Sequence, residues 1–195
     1  MTFRPPRPVA ARWQPVAAEG LEHLDLRPVD GGIAIDSVLV GGRGGVPYGC
    51  RYVLRLASDW TVRSFDLETT DGRSLRLRAD GEGRWTDGDG ARIDALDGCI
   101  DIDLAGSPFT NTLPIRRDPG LAAGEPRRFL MAYVPFDTFR PTVDAQIYTA
   151  LEAGRRYLYE AADRSFTAVL SVDEDGLVTD YPGLFARLSF EGSDR

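Results

Sequence analysis

A chain of 195 residues, 43% hydrophobic and 27% charged, can bury roughly two thirds of its unfolded surface around one core, which sets aside intrinsic disorder. Its formal net charge of −7 argues against nonspecific nucleic-acid binding, and no apolar run approaches the ~20 residues that a membrane-spanning helix needs. The first residues, Met-Thr-Phe-Arg-Pro-Pro-Arg-Pro, lack the apolar segment of a secretory signal, so a cytoplasmic location is expected.

Taken in order, residues 1–8 read as a disordered tail, because they hold three prolines and no apolar periodicity. Residues 9–190 read as a single domain, and 191–195 as a frayed end. Residues 9–16 predict a first strand carrying Trp13. Glu22, Leu24 and Leu26 then alternate with Leu21, His23, Asp25 and Arg27, an imperfect strand ended by Asp30-Gly31-Gly32. Residues 33–40 are apolar on both faces apart from Asp36 and Ser37, as in a strand between two layers, and a glycine-rich break follows at 41–45. Tyr48, Cys50, Tyr52, Leu54 and Leu56 alternate with Gly49, Arg51, Val53 and Arg55, the clearest half-buried antiparallel strand in the chain. The apolar phase changes between Trp60/Val62 and Phe65/Leu67, which predicts a β-bulge. Leu75, Leu77 and Ala79 mark another strand, and strands are also expected at 84–86, 92–96 and 99–104. Beyond residue 127 the same reasoning predicts strands at 128–135, 143–149, 155–160, 166–172, 177–181 and 184–190. Asp-Gly pairs at Asp30, Asp71, Asp80, Asp87, Asp89, Asp97 and Asp175 favour tight hairpin turns, so these strands should form a meander.

Residues 107–117, Ser-Pro-Phe-Thr-Asn-Thr-Leu-Pro-Ile-Arg-Arg, interrupt this pattern. Ser107 suits a helix N-cap and Pro108 the first helical position, while Pro114 should end or kink the helix near Leu113. Phe109 and Leu113, four apart, share one face, Asn111 points elsewhere, and Arg116 and Arg117 follow the break.

That run resembles the signature of a bacterial family of unknown biochemistry described as putative glycolipid-binding proteins. Asp97-Gly98-Cys99-Ile100-Asp101-Ile102-Asp103-Leu104, Gln146-Ile147-Tyr148-Thr149 and the stretch from Asp175-Gly176 to Leu184-Phe185 fit the same family, and the resemblance extends from about Trp13 to Arg187. It implies a many-stranded antiparallel sheet spiralling around one helix, a homodimer, and a likeness to periplasmic lipoprotein carriers.

Among chemistry-bearing residues, Asp101 and Asp103 lie two apart on a strand and so share a face, opposite Ile100, Ile102 and Leu104. They form either a solvated or arginine-paired face or one side of a polar site, with Arg116 and Arg117 close by. Cys50 and Cys99 have no near partner in sequence and read as small buried hydrophobes. His23 is the only histidine, and Asp87-Gly88-Asp89-Gly90 lacks the further acidic ligands of a calcium loop, so no metal or other cofactor is expected. No recognised catalytic motif is present. Tyr148 and Tyr181, with an aromatic body and a polar tip, are candidates for a pocket lining.

The fold expected is therefore all-β: a many-stranded curved sheet, or spiral β-roll, around one short α-helix. The leading functional expectation is non-catalytic binding of an amphiphile, a glycolipid or acyl-bearing metabolite, in a cavity between sheet and helix. Phe109, Leu113 and strand aromatics would line it, and Arg116, Arg117, Asp101, Asp103 and Asn111 would address the headgroup. The alternatives are an enzyme using the Asp/Arg cluster with Tyr148 as acid, and a structural or interaction module acting as a dimer.

Overall fold

Alternating side chains in the first half of the chain produce seven strands that follow one another as antiparallel neighbours. These are β1 (Val9–Pro15), β2 (Gly20–Val29), β3 (Gly32–Arg43), β4 (Val46–Ala57), β5 (Val62–Thr69), β6 (Ser74–Ala79) and β7 (Trp85–Asp87). The middle of the chain supplies β8 (Asp101–Leu104) and one short helix, α1 (Thr112–Arg117). The second meander is β9 (Arg127–Val134), β10 (Thr142–Glu152), β11 (Arg156–Ala161), β12 (Thr167–Val172), β13 (Val178–Tyr181) and β14 (Phe185–Arg187). The computed structural model describes residues 3–43 and 45–189. Within them all 14 strands belong to one curved, unclosed sheet, in the order β7-β6-β5-β4-β3-β2-β1-β14-β13-β12-β11-β10-β9-β8.

The two meanders join where β14 pairs with β1, Trp13 opposite Arg187. Among the described strands only β8 and β9 run parallel, as the crossover through α1 between them allows. The phase change in β5 is a bulge: Ser64 pairs with Arg55 but Val62 with Leu56, so Arg63 is the extra residue and Val62 and Phe65 both face inward. At Asp30-Gly31 the strands turn tightly because Gly31 adopts φ +75°, a region a side chain would disfavour.

Two apolar clusters fill the roll. The larger gathers Trp13, Leu24, Ile35, Tyr52, Phe65 and Trp85 from the first meander with Ile102, Phe109 and Leu113, and the smaller gathers Ile115, Met131, Tyr148, Leu170 and Tyr181. Strand β9 serves both, with Phe129 and Met131 on one face and Ala132 and Val134 on the other. Phe109 and Leu113 are fully buried, each worth about 1.5–3 kcal/mol in transfer terms. Two indoles act as pins: Trp13 Nε1 donates to the Val178 carbonyl at 2.6 Å, and Trp85 Nε1 to the Cys99 carbonyl at 2.7 Å.

Several expectations are corrected. Residues 92–96 do not form a strand: Arg92 keeps one isolated bridge to Thr86, and Asp94–Leu96 is a 3-10 turn that drops Leu96 into the core. Pro114 does not end the helix. A 3-10 turn, Pro108–Asn111, comes first, and α1 restarts at Thr112, so Pro114 falls in the first turn of α1, where a missing N–H costs little. Ser107 stands at the expected N-cap but makes no capping bond, because its hydroxyl is engaged with Glu22. Residues 3–8, expected in a disordered tail, lack regular structure yet are held. The Arg4 amide donates to the Glu174 carbonyl at 2.9 Å, and Arg7 grips Asp175 through contacts of 3.1 and 2.7 Å. Met1 and Thr2, like the expected frayed end at 191–195, lie outside the described residues.

Candidate functional site

Around α1 the polar residues singled out in the sequence are drawn together in part. Asp101, fully buried, receives Nε and Nη2 of Arg117 at 2.9 and 2.7 Å. Desolvation pushes the Asp101 carboxyl up, and the hydrogen bonds and charge of the Arg117 guanidinium oppose that shift. Two residues along β8, partly exposed Asp103 accepts from the Thr110 hydroxyl at 2.8 Å and from Gln146 Nε2 at 2.7 Å, and burial raises its carboxyl too. The Tyr148 hydroxyl lies 2.9 Å from Asn111 Oδ1 and 3.0 Å from Gln146 Oε1, and burial holds its phenol well above the usual range. Of the readings the sequence offered for this face, Asp101 takes the arginine-paired one and Asp103 a hydrogen-bonded one. Arg116 leaves this group: its guanidinium stacks between Trp60, at 4.4 Å, and Phe3, at 5.0 Å, and donates to the carbonyls of Asp175 and Arg4. Tyr181 sits in an aromatic cluster, 6.2 Å from Tyr159 and 6.1 Å from Phe166.

A second polar centre went unrecognised in the sequence. Glu22 on β2 is 3% exposed, and its Oε1 receives hydroxyls from Ser37 of β3 at 2.9 Å, Tyr52 of β4 at 2.9 Å and Ser107 at 2.8 Å. Its other oxygen has no hydrogen-bond partner among the described residues. Desolvation dominates the three hydroxyls and pushes the carboxyl up to about 7. The signal was present: Glu22 occupies the same alternating face as Leu24 and Leu26.

The open space lies at one end of the roll, where the turns after β1, β3, β5 and β13 meet the ends of β8 and β9. Three pockets meet there at Tyr48: an open one of about 640 Å³ lined by Glu19, Gly20, Val40, Gly41 and Pro47, and two that are more enclosed. One, of about 460 Å³, is lined by Pro47, Tyr48, Thr69, Thr70, Asp71, Arg73, Phe136 and Asp137. The other, of about 430 Å³, is lined by Pro15, Ala17, Ala18, Tyr48, Ala105, Gly106, Tyr133, Phe136, Leu184 and Phe185. They share the ridge formed by Tyr48 and Phe136, whose rings stack at 4.4 Å. Gly106 makes that ridge possible: it holds φ +88°, and a Cβ there would come within 2.7 Å of the Phe136 ring. Arg73 Nε reaches Asp71 Oδ2 at 2.9 Å, and its guanidinium lies 4.5 Å from the Phe139 ring. A further pocket of about 260 Å³ beside residues 3–9 holds Arg4, Arg7 and Arg187, paired with Glu174, Asp175 and Asp173 respectively.

With this geometry in view, likeness to other proteins can be set beside it. A family model described as "Putative glycolipid-binding" matches residues 10–187. The chain belongs to that family. It is also similar to a crystal structure of a DUF1089 family protein from Pseudomonas aeruginosa, with 46% sequence identity and a TM-score of 0.75 over 86% of this chain and 92% of that one. No match was found among curated proteins. In this family member, then, the signature around 107–117 builds the helical plug of the roll, and the end groove is built from turns outside it. Phe109 and Leu113 sit in the main core, Asp101 pairs with Arg117 of α1, and Asp103 and Asn111 belong to the network through Gln146 and Tyr148; none of them lines the two end pockets. Tyr48 was legible as an inward aromatic of the clearest strand, whereas Phe136, Asp71 and Arg73 carried no local signal beyond lying near turns. Cys50 and Cys99 are free and buried. Among the described residues no helix is long and apolar enough to cross a membrane.

Proposed function

We propose that the protein binds a small amphiphilic molecule of glycolipid type in the end groove, without catalysing its turnover. The observation that carries this reading is the pair of adjoining pockets meeting at the Tyr48–Phe136 ridge, apolar in its walls with polar groups at one side. The family description supports the same ligand class. In this reading the residues first marked for headgroup contact act from behind: the Asp101–Arg117 pair and the Asp103–Gln146–Tyr148–Asn111 network fix α1, and the turn through Gly106 and Ser107 links the groove to Glu22. Native mass spectrometry of the purified protein, with solvent extraction of anything released, tests it. A retained amphiphile near one per chain, lost in Gly106→Trp, is expected. A protein that neither retains nor takes up any amphiphile defeats the reading. The assembly proposed is a homodimer, supported by the exposed Val38 and Val40 along β3, and sedimentation across a range of concentrations checks it.

A further inference from the structure

Exposed apolar side chains are not spread evenly over the roll. Val16 after β1, Val46 at the start of β4, Phe166 after β11 and Leu184 after β13 are each between 37% and 67% exposed. All four stand at the end where the groove opens; the turn after β11 belongs there because β12 and β13 run antiparallel. At the opposite end, among the described residues, the exposed large apolar side chains are Val29 and Leu151. The turns at the groove end are also joined. The Val16 amide donates to the Leu184 carbonyl at 2.9 Å, and the Phe166 ring lies 6.1 Å from Tyr181, itself 6.3 Å from Phe185. The apolar lining supplied by Ala17, Ala18 and Leu184 therefore runs on over the lip of the groove to Val16 and Phe166. Such a strip is costly to leave in water and marks a surface that something apolar covers.

Charge sets the same end apart. In sequence its turns balance four arginines (Arg43, Arg73, Arg140, Arg164) against four carboxylates (Glu19, Asp71, Asp137, Asp163), so the whole net charge of −7 lies on the rest of the chain. A body so charged meets an uncharged bilayer by its neutral apolar end, and an anionic bilayer repels the remainder. A second copy of the chain suits this end less well. The dimer proposed above uses the flank of β3, and a copy laid over the end would cover the mouths of the pockets that are to take up a ligand. A lipid surface covers the same side chains and is where an amphiphile already resides.

Resting on the binding role proposed above, we infer that the groove end docks on the surface of an uncharged lipid bilayer, with Val16, Val46, Phe166 and Leu184 entering the acyl boundary. The groove then opens onto the lipid, and its ligand passes between bilayer and protein without crossing water.

Flotation of the full chain with phosphatidylcholine vesicles, and with vesicles half phosphatidylglycerol, tests this. The chain should float with the first and, at low ionic strength, about fivefold less with the second. Val16→Asp/Phe166→Asp should cut the bound fraction about tenfold while Tm and the uptake of decyl glucoside, below its micelle concentration, are kept. Val29→Asp/Leu151→Asp, at the far end, should leave flotation unchanged. Val16→Trp, on an exposed turn, gives a reading that needs no loss: vesicle binding should rise about fivefold, and brominated acyl chains should quench the added indole, Trp13, Trp60 and Trp85 being buried. A wild-type chain that does not float, or flotation lowered by the far-end pair and not by the rim pair, overturns the docking. Loss of the dimer in sedimentation of Val16→Asp/Phe166→Asp gives this end to a second copy and overturns it too. A chain that retains an amphiphile but never floats defeats the docking alone, whereas flotation without retention or uptake defeats the binding role alone.

Discussion

Glu22 shows how much one side chain can cost when strand register places it inside. Three hydroxyls converge on one oxygen and nothing meets the other, so burial dominates and raises the carboxyl from 4.5 to about 7. The folded protein therefore keeps a proton that the unfolded chain releases between those values. Stability from this group is fully present below the unfolded value and is lost as pH rises through about 7, by about 3 kcal/mol in all. Glu22→Gln, neutral throughout, should remove that slope and make the protein more stable above neutrality; urea denaturation between about pH 5 and about pH 8 checks it, and an unchanged slope would place the titrating group elsewhere. Arg116 and Arg117 are neighbours with unequal duties. Arg117→Ala strands the fully buried Asp101 and should cost about 3–5 kcal/mol in chemical denaturation. Arg116→Ala loses two bonds to carbonyls and its ring contacts, about 1–2 kcal/mol.

At the scale of elements, α1 depends on where its first turn begins. Because the Pro108–Asn111 turn resets the hydrogen-bond frame, Pro114 needs no N–H partner within α1, and Pro114→Ala should change stability by less than about 1 kcal/mol, measured as a shift in Tm. A helix running unbroken from Pro108 would instead gain about 3 kcal/mol from the same replacement. Both proline and helix were visible in the sequence; that the turn before Thr112 is 3-10, which moves the first α-turn on to Pro114, was not. Strands fared differently. The period-two stretches at Tyr48–Leu56 and the phase break before Phe65 appear as β4 and a bulge in β5, because alternation across a half-buried sheet is a local property. Residues 92–96 were expected to do the same, yet only Arg92 pairs, in one isolated bridge, and Asp94–Leu96 is a 3-10 turn between the sheet edges, where pairing rather than pattern decides.

For the whole molecule, the short edge strands β7 and β8 limit what an unclosed sheet exposes, and the Trp85 indole ties the two edges by donating to the Cys99 carbonyl, with the Gly98 amide reaching the Gly83 carbonyl at 2.9 Å. Trp85→Phe removes one buried bond, should cost about 1–3 kcal/mol, and should speed amide hydrogen exchange in β7 and β8 before the rest of the roll. The sequence by itself determined the strand-rich class, the meander through Asp-Gly turns, the place of the single helix and, through the motif around 107–117, the family resemblance. These are all set by neighbours a few residues apart. Only the tertiary structure decided that Asp101 and Glu22 face inward, that β14 joins β1 across the length of the chain, and that the groove gathers Ala17, Tyr48, Arg73, Gly106, Phe136 and Leu184 from separate connections. No spacing in the chain encodes that gathering. It arises because antiparallel strands return every second turn to the same end of the roll.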